Sequence, residues 1–573
     1  MSAFISAEVL ESRRLFSGAV YTTDATGLPL LTSTPPGSNA VTLFLDFNGE
    51  VTPSKTYLPF ETDGNTASFN ASEQAAIYDT WRAVVSVYSA FNVRVTTDQS
   101  LITPGDSKTA WMIISDSNSG TSAYTNSING TIQGFALNSN ATSANGHMGI
   151  AHEFGHMFGL YHQSKIDEWG TQTSEYINGY DDTHGALSGS SFANPLIKWY
   201  LGTRDGGSGG VIQDDLSVIA ATIVTKTGTG DGFRTDDYSD TTATTLTATN
   251  GTFQADGIIE RLTDIDYFKI ASTGGRYAIA ALPTYESGLA PKFEVLDASS
   301  NIIATVDSTG YRTYGSSNYI DNGQDLTIDL PAGNYYIKVR SHGDYNDLGE
   351  YRLTASKLPD ADYNTANVSY EGNGKGGFTT YDSSTDTFTV GASGTTLDAS
   401  GNPNASTSVY DNSRFVYKIL TGDGSVTTKL TGLLNAQEAG LNTYSHAGVE
   451  IRQDLSITSP MAQLYARGGG IGGLRFSSRD TGTTTQSFGS VNSSYGIGDY
   501  LRLVRTGNTI TAYASHNGTT WSSASTRQLS HSAARSTSAS HPTPARRTIF
   551  PCRHSRARPS PAPSPRQRKR STR

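Results

Sequence analysis

The chain has 573 residues, is rich in Gly, Thr, Ser, Asn and Tyr, and carries only 16% charged residues with a formal net charge of −10. Its length accommodates about three to four domains; the single cysteine, Cys552, excludes an intramolecular disulfide framework, and no apolar run is long enough to span a bilayer. Residues 532–573 hold ten Arg and one Lys without any acid, so the body before them is strongly acidic, which argues against nucleic-acid binding by the folded part. Such a composition suits β-modules with turn-rich connections in an extracellular setting.

Residues 1–37 read as a leader and linker. The first twenty lack the apolar core and small-residue cleavage site of a secretory signal peptide. Leu10-Glu-Ser-Arg13-Arg-Leu-Phe16-Ser17 resembles a short leader found on large exported proteins of one bacterial lineage; a disordered or short helical start is the alternative. Pro35-Pro36-Gly37 marks a polar linker. Val41–Phe47 is then predicted as a largely buried strand. Asn70 can cap a helix running to Asn92, with Glu73 completing a capping box. Ile77, Trp81, Val84, Val85, Tyr88 and Phe91 form one apolar stripe on it, which reads as core. Trp111–Ser115 is another buried strand, and Thr131–Leu137 alternates less regularly just before the segment that organises the chain.

That segment is His152-Glu153-Phe-Gly-His156-Met-Phe-Gly159-Leu-Tyr-His162. On a helix, His152 and His156 project from one face a turn apart, so both reach one ion. Gly159 permits the positive-φ turn that ends the helix and brings His162 back as a third ligand. Three neutral imidazoles with one position open describe a catalytic zinc site rather than a closed structural one. Glu153 lies beside the open position, where a carboxylate can take a proton from water. The plain alternative for a bare His-Glu-x-x-His is an amphipathic core helix; five fixed positions favour the metal. His147, five residues earlier, reads as a loop or first-turn histidine rather than a fourth ligand.

The motif resembles that of the metzincin zinc endopeptidases. Together with Asn178-Gly-Tyr180, Ala186-Leu-Ser-Gly189 and Leu196-Ile-Lys-Trp199, it looks like a group of large bacterial secreted proteins in which a metzincin domain precedes several β-modules. The resemblance implies zinc held by His152, His156 and His162, with Glu153 as the general base. It also implies a turn beneath the ligands at Leu187-Ser188-Gly189, where the family usually has Ile-Met-Gly; Ser188 therefore stands at the Met-turn position without its methionine. Gln163 stands where the reprolysin-type branch has Asp, so that branch is not assigned. Tyr180 falls near where some metzincins place an oxyanion-supporting tyrosine, although a packed aromatic is the commoner use of such a residue; Phe192, nearby, has no hydroxyl. By chain order, Gly134, Phe135, Ala136 and Leu137 correspond to the edge strand that pairs with extended substrate in that family. Asp214–Ala220 would close the domain, residues 38–230, as a helix.

From residue 231 short strands alternate. Asp236-Asp-Tyr-Ser-Asp240, Asp264-Ile-Asp-Tyr-Phe-Lys-Ile270, Phe293–Asp297 and Leu330–Val339 resemble a prepeptidase C-terminal type β-sandwich over 231–358, a class that strand alternation with Gly and Asn turns gives independently. Its Asp clusters are candidates for Ca2+, with solvated turn carboxylates as the default. Residues 359–531 form a second all-β unit, with Phe415–Ile419, His446–Arg452 and Tyr500–Ser515, and Asn517-Gly518 as a hairpin signal. It is similar to concanavalin-like jelly rolls, in which Trp521, Tyr513 or Arg505 could stack on a glycan or simply fill the sandwich. Residues 532–573 read as a basic disordered tail, a sorting tail or a frame-changed end, the last favoured because the final strands of that module are missing.

The expectation is therefore a multidomain chain, an α+β metzincin domain followed by two all-β sandwiches, acting as a secreted or cell-surface zinc endopeptidase on protein or peptide substrates. The alternative is a surface adhesion or glycan-binding protein whose zinc-binding domain is weakly active or inactive, given Ser188.

Overall fold

The computed structural model describes residues 21–33, 39–169, 171–177, 184–189, 196–205, 210–284, 287–307, 312–314, 317–319, 324–368, 377–391, 413–433, 446–455, 459–467, 473–480, 487–490, 494–528 and 546–553. The expectations placed on the leader at 1–20, on Pro35-Pro36-Gly37, on Tyr180 and on Phe192 lie outside the described residues. Most of the described secondary structure is β, arranged in several sheets. No described helix is long and apolar enough to cross a membrane.

Strand β1 (Val41–Asp46) is buried along its whole length, as a strand covered on both faces must be. Helix α1 (Ala71–Val87) begins at Asn70, whose side chain accepts from the Ser72 and Glu73 N–H groups while the Glu73 carboxylate accepts from Asn70 N–H. The helix stops at Val87 rather than at Asn92. Tyr88 and Phe91 remain buried, but the chain turns there to enter β2 (Val93–Thr96), whose residues pair with β1; sheet pairing overrides the helical periodicity. With β3 (Thr109–Ile114), β4 (Ser122–Ala123) and β5 (Ile132–Ala136) the sheet order is β2-β1-β3-β5-β4. All neighbours are parallel except β4, which runs antiparallel to β5.

This order corrects the edge-strand expectation. Gly134, Phe135 and Ala136 lie in β5, between β3 and β4, and Leu137 follows the strand as the cap of a short turn of helix. The edge is Ser122–Ala123, a two-residue strand too short to leave a period-two signal. Gly134 has a packing reason instead. A Cβ there would lie 3.0 Å from Met112 and 3.2 Å from Met157, so the missing side chain lets α2 (Ala144–Phe158) lie close on the sheet. Beyond α2, the short parallel pair β6 (His184–Ala186) and β7 (Leu196–Lys198) precedes α3 (Asp215–Thr227), capped by Asp214 and ended by Gly228 at φ 71°.

The next unit builds one network in the order β8 (Thr252–Ile259), β13 (Gly349–Lys357), β9 (Ile265–Pro283), β12 (Gln324–Ser341), β10 (Pro291–Leu296), β11 (Ile302–Val306), with Thr244–Thr245 beside β9. The long strand β9 changes partner along its length, pairing with β12 throughout and with β13 only from Tyr277 onward. Gly274 and Gly275, both at positive φ, sit just before that change. The pattern is consistent with a β-sandwich. Its boundary with the first unit at 230/231 is not a break in packing: Ile77, Val84 and Phe158 belong to the same buried cluster as Phe253, Phe268 and Val339.

The third unit is built on a second core cluster, which also takes in Ala278 of β9. One sheet runs Asn364–Val368, Ser413–Leu420, Arg546–Arg553, His446–Arg452, Met461–Arg467, Leu474–Arg479, Ser487–Ser490; the other runs Gly424–Lys429, Tyr500–Thr506, Thr509–Ser515, Ser522–Gln528. Val449, Leu464 and Phe476 of the first sheet share a cluster with Leu501, Leu503 and Ile510 of the second, so the two sheets face one another as in a sandwich. Arg546–Arg553 corrects the expected tail boundary at 532. It pairs antiparallel with both Ser413–Leu420 and His446–Arg452, because ladder bonds use backbone groups and do not require the composition of the preceding strands.

Candidate metal centre

Ser143 caps α2, its Oγ accepting from Gly146 N–H at 3.2 Å. The helix ends at Gly159, φ 107°, whose N–H reaches His156 O at 2.8 Å while Leu160 N–H reaches Gly155 O at 3.0 Å. That left-handed residue turns the chain back across the helix end and delivers His162 beside His152 and His156. Just past the end of α1, the buried Tyr88 hydroxyl donates to Ala151 O at 2.9 Å, fixing α2 one residue before the first histidine.

Each ring is oriented through its Nδ1. His152 Nδ1 lies 2.6 Å from Leu187 O, His156 Nδ1 lies 2.7 Å from Leu160 O, and His162 Nδ1 lies 2.9 Å from Glu175 Oε1 and 3.5 Å from Asp205 Oδ2. Carbonyl and carboxylate oxygens only accept, so all three Nδ1 atoms carry the proton and all three Nε2 atoms present lone pairs. His156 Nε2 and His162 Nε2 are 3.0 Å apart, and donor atoms from the three histidines all fall within 4.8 Å of one another. Two lone pairs at that distance repel unless a cation lies between them. Burial favours the neutral form of two of the rings: it is the main cause that lowers His152 to about 3, with His156 adding to it, and it lowers His156 as well.

Glu153 follows His152 and is 9% exposed. Burial raises its carboxyl to about 7, opposed by a hydrogen bond from the Ala123 N–H of edge strand β4. The base expected from the sequence is thus set between the histidines and the sheet edge.

Ser188 is buried and donates to Asp215 Oδ2 at 3.0 Å. Asp215 also accepts from Tyr200 N–H, Gln163 Nε2 and Gln213 Nε2, each at 2.9 Å. Burial lifts Asp215 to about 6 against these four donors. Ser188 is therefore tied into a buried polar network around Asp215. Gln163, the residue after His162, belongs to the same network and also donates its N–H to Ser188 O at 2.8 Å. His147 is a first-turn residue of α2 with Nε2 3.0 Å from Ala141 O, and it is not brought to the cluster.

Sequence reasoning missed Glu175, Asp205 and Tyr176. The Tyr176 hydroxyl lies 3.4 Å from His162 Nε2, and the two rings are 4.3 Å apart. Its hydroxyl pKa is raised by burial first and then by Glu175, Glu153 and Asp205. The only signal was proximity in sequence to Asn178-Gly-Tyr180.

A second cluster lies in the β unit. Asp236, Asp240 and Asp264, and Asp236, Asp237 and Asp266, bring carboxylate oxygens together. Glu260 joins them fully buried, and both its oxygens lack a donor, as do Asp264 Oδ1 and Asp266 Oδ1. Burial, reinforced by neighbouring carboxylates, raises Glu260 to about 10 and Asp266 to about 9. Asp297 behaves differently: it accepts from Ser299 N–H and from Asn301 N–H and Nδ2 as an ordinary turn carboxylate. In the third unit, Arg502 lies 3.8 Å over the Trp521 ring, and Arg505 donates to Gly422 O and Gly507 O.

No family model matches the chain, and no curated protein matches it. Among solved structures, it is similar to a pre-peptidase C-terminal domain of collagenase from Bacillus anthracis, at 17% identity and a TM-score of 0.15, over 20% of this chain and 92% of that one. A score so low bears on neither the metal centre nor its chemistry.

Proposed function

We propose that this chain is a zinc-dependent endopeptidase of the metzincin type, acting outside the cell or at its surface on protein or peptide substrates. The observation that carries the reading is the 3.0 Å approach of His156 Nε2 to His162 Nε2, with each proton held on the far nitrogen. Nitrogens bound to tetrahedral zinc at ~2.0–2.1 Å lie about 3.3 Å apart, so the donor set fits that ion with a small adjustment. Zinc held there supplies a Lewis acid that polarises a carbonyl and makes water nucleophilic near neutral pH.

The chain's own groups do the rest. Leu187 O, Leu160 O and the Glu175 carboxylate hold the three rings in one tautomer. Glu153 accepts a proton from the attacking water and passes it to the leaving amine nitrogen. The Tyr176 hydroxyl is placed to donate to the oxygen on which negative charge develops. The outer edge of Ser122–Ala123 offers backbone groups to an extended substrate. In the β unit, the donor-less oxygens of Glu260, Asp264 and Asp266 support Ca2+ as the ion of the acidic cluster. The third unit is proposed to serve adhesion or targeting; Arg502 already covers a face of Trp521 that a sugar would use.

The test is metal content and casein cleavage by the full-length chain, wild type beside Glu153→Gln. One zinc in both with cleavage by wild type alone is the expected result. Zinc in both without any cleavage favours the adhesion protein, and a folded wild type without zinc sinks the reading.

A further inference from the structure

The first two units share more than apolar surface, and one contact between them leads to a metal ligand. Lys198, at the end of β7, is fully buried, and its Nζ lies 2.9 Å from Asp347 Oδ1 of the β unit, which is equally buried. Asp347 is itself fixed, accepting also from Ala290 N–H, Ser341 Oγ and His342 N–H. On the other side, Lys198 O accepts the Leu187 N–H at 2.8 Å, and Leu187 O takes the Nδ1 proton of His152 at 2.6 Å. Two residues on, Tyr200 N–H holds Asp215, which holds Ser188. The Tyr345 hydroxyl of the β unit meanwhile bonds to Asp214, the cap of α3. The wall behind His152 is thus clamped by a short segment whose one charged side chain is anchored in the neighbouring unit.

We infer that the β unit is a working part of the metal centre, with Asp347 as a positioning residue that acts through Lys198 and Leu187 on His152. The inference rests on the zinc reading above. A buried ammonium requires its counter-charge, so Lys198 sits where it does only while Asp347 is docked. Without that anchor the Leu187 carbonyl loses its fixed place, and His152 loses the acceptor that sets its tautomer and angle. Arg82 and Glu350, at 2.6 Å, also bridge the units, but Arg82 lies on α1, which carries no ligand. That pair separates general docking from the specific path.

The experiment measures zinc affinity of folded full-length proteins by chelator competition, together with thermal unfolding of the metal-free forms. Four chains are compared: wild type, Asp347→Asn, the double variant Lys198→Met with Asp347→Asn, and the double variant Arg82→Gln with Glu350→Gln. Loss of a group that orients a ligand typically costs about 10–100-fold in metal affinity, and that loss is expected for Asp347→Asn. The Lys198→Met double variant removes the unpaired charge and recovers thermal stability, yet is expected to keep the weakened zinc affinity because the tether is gone. The Arg82 and Glu350 double variant is expected to unfold at lower temperature with zinc affinity at the wild-type level. Recovery of full zinc affinity in the Lys198→Met double variant overturns the inference, as does an equal loss in the Arg82 and Glu350 variant. Absence of zinc from wild type is a separate result, which removes the endopeptidase reading itself.

Discussion

The chain builds two cation-shaped clusters by opposite means. In the histidine centre burial favours neutral donors at His152 and His156. Burial holds His152 down at about 3 and lowers His156, and every Nδ1 has an acceptor, so the site is formed and electrically cheap before any ion arrives. In the acidic cluster the donors are charges. Burial and mutual repulsion push Glu260 to about 10 and Asp266 to about 9, and several oxygens find no protein donor at all. Neutral nitrogens can be packed ready for a borderline-soft ion such as zinc. Buried carboxylates remain together only by holding protons or a hard cation. The first cluster is preorganised; the second holds together only with protons or a cation between its oxygens.

The sharpest way to break this contrast is His156→Ala, which removes one of three donors; zinc content is expected to fall from one to none at micromolar protein, read by atomic absorption. Glu153→Gln leaves the donors intact and is expected to lower casein cleavage by about 10²–10⁴-fold, the usual contribution of a positioned acid–base group, with zinc content unchanged.

The pH dependence separates the clusters next. A histidine depressed to about 3 contributes stability that is present above its ordinary value of 6.5 and is lost as pH falls toward 3. Carboxylates raised to about 9 and 10 contribute stability that is whole below about 4 and is lost as pH rises through those values. In a chelator, unfolding of the β unit should therefore occur at lower temperature at pH 8 than at pH 5. Calcium at 100 times its Kd should restore about 2.7 kcal/mol. A melting temperature at pH 8 that ignores calcium would leave the cluster a proton store and nothing more.

Smaller effects test the frame around the histidines. Gly159→Ala has room for its methyl, with the nearest atom 3.7 Å away, but not the backbone, at φ 107°; it should cost about 1–2 kcal/mol, measured by urea unfolding of the metal-free chain. Ser188→Ala withdraws one of the four donors from buried Asp215 and should cost about 1 kcal/mol with little change in zinc content. A large loss of zinc in that variant would instead make the serine a support of the metal centre.

Much of the histidine centre was legible because its information is local. A helix places His152 and His156 one turn apart, Gly159 is among the few residues at ease in a left-handed turn, and Asn70 with Glu73 announces a helix start, all within a few residues of sequence. The edge of the sheet was not legible. Ser122–Ala123 has no periodicity of its own, and β5, with the clearer pattern, was wrongly placed there. Tyr176 and Glu175 were passed over for a related reason: nothing at their own positions marks them, and only the return of the loop sets them against His162. Arg546–Arg553 was masked by composition, since a strand held by ladder bonds need not look like its neighbours.

By itself, then, the sequence determined the helix that carries two histidines, the turn that returns the third, the glutamate beside the first and the mostly β character of the two later units. Each depends on backbone preferences and spacings of ten residues or fewer. The tertiary structure alone decided which strand lies at the edge, that Ser188 answers to Asp215, and that Lys198 of one unit pairs with Asp347 of the next. Those are meetings of residues up to 149 positions apart, and only burial in a common core, where an unpaired charge or donor is costly, selects among the many partners that the sequence would allow.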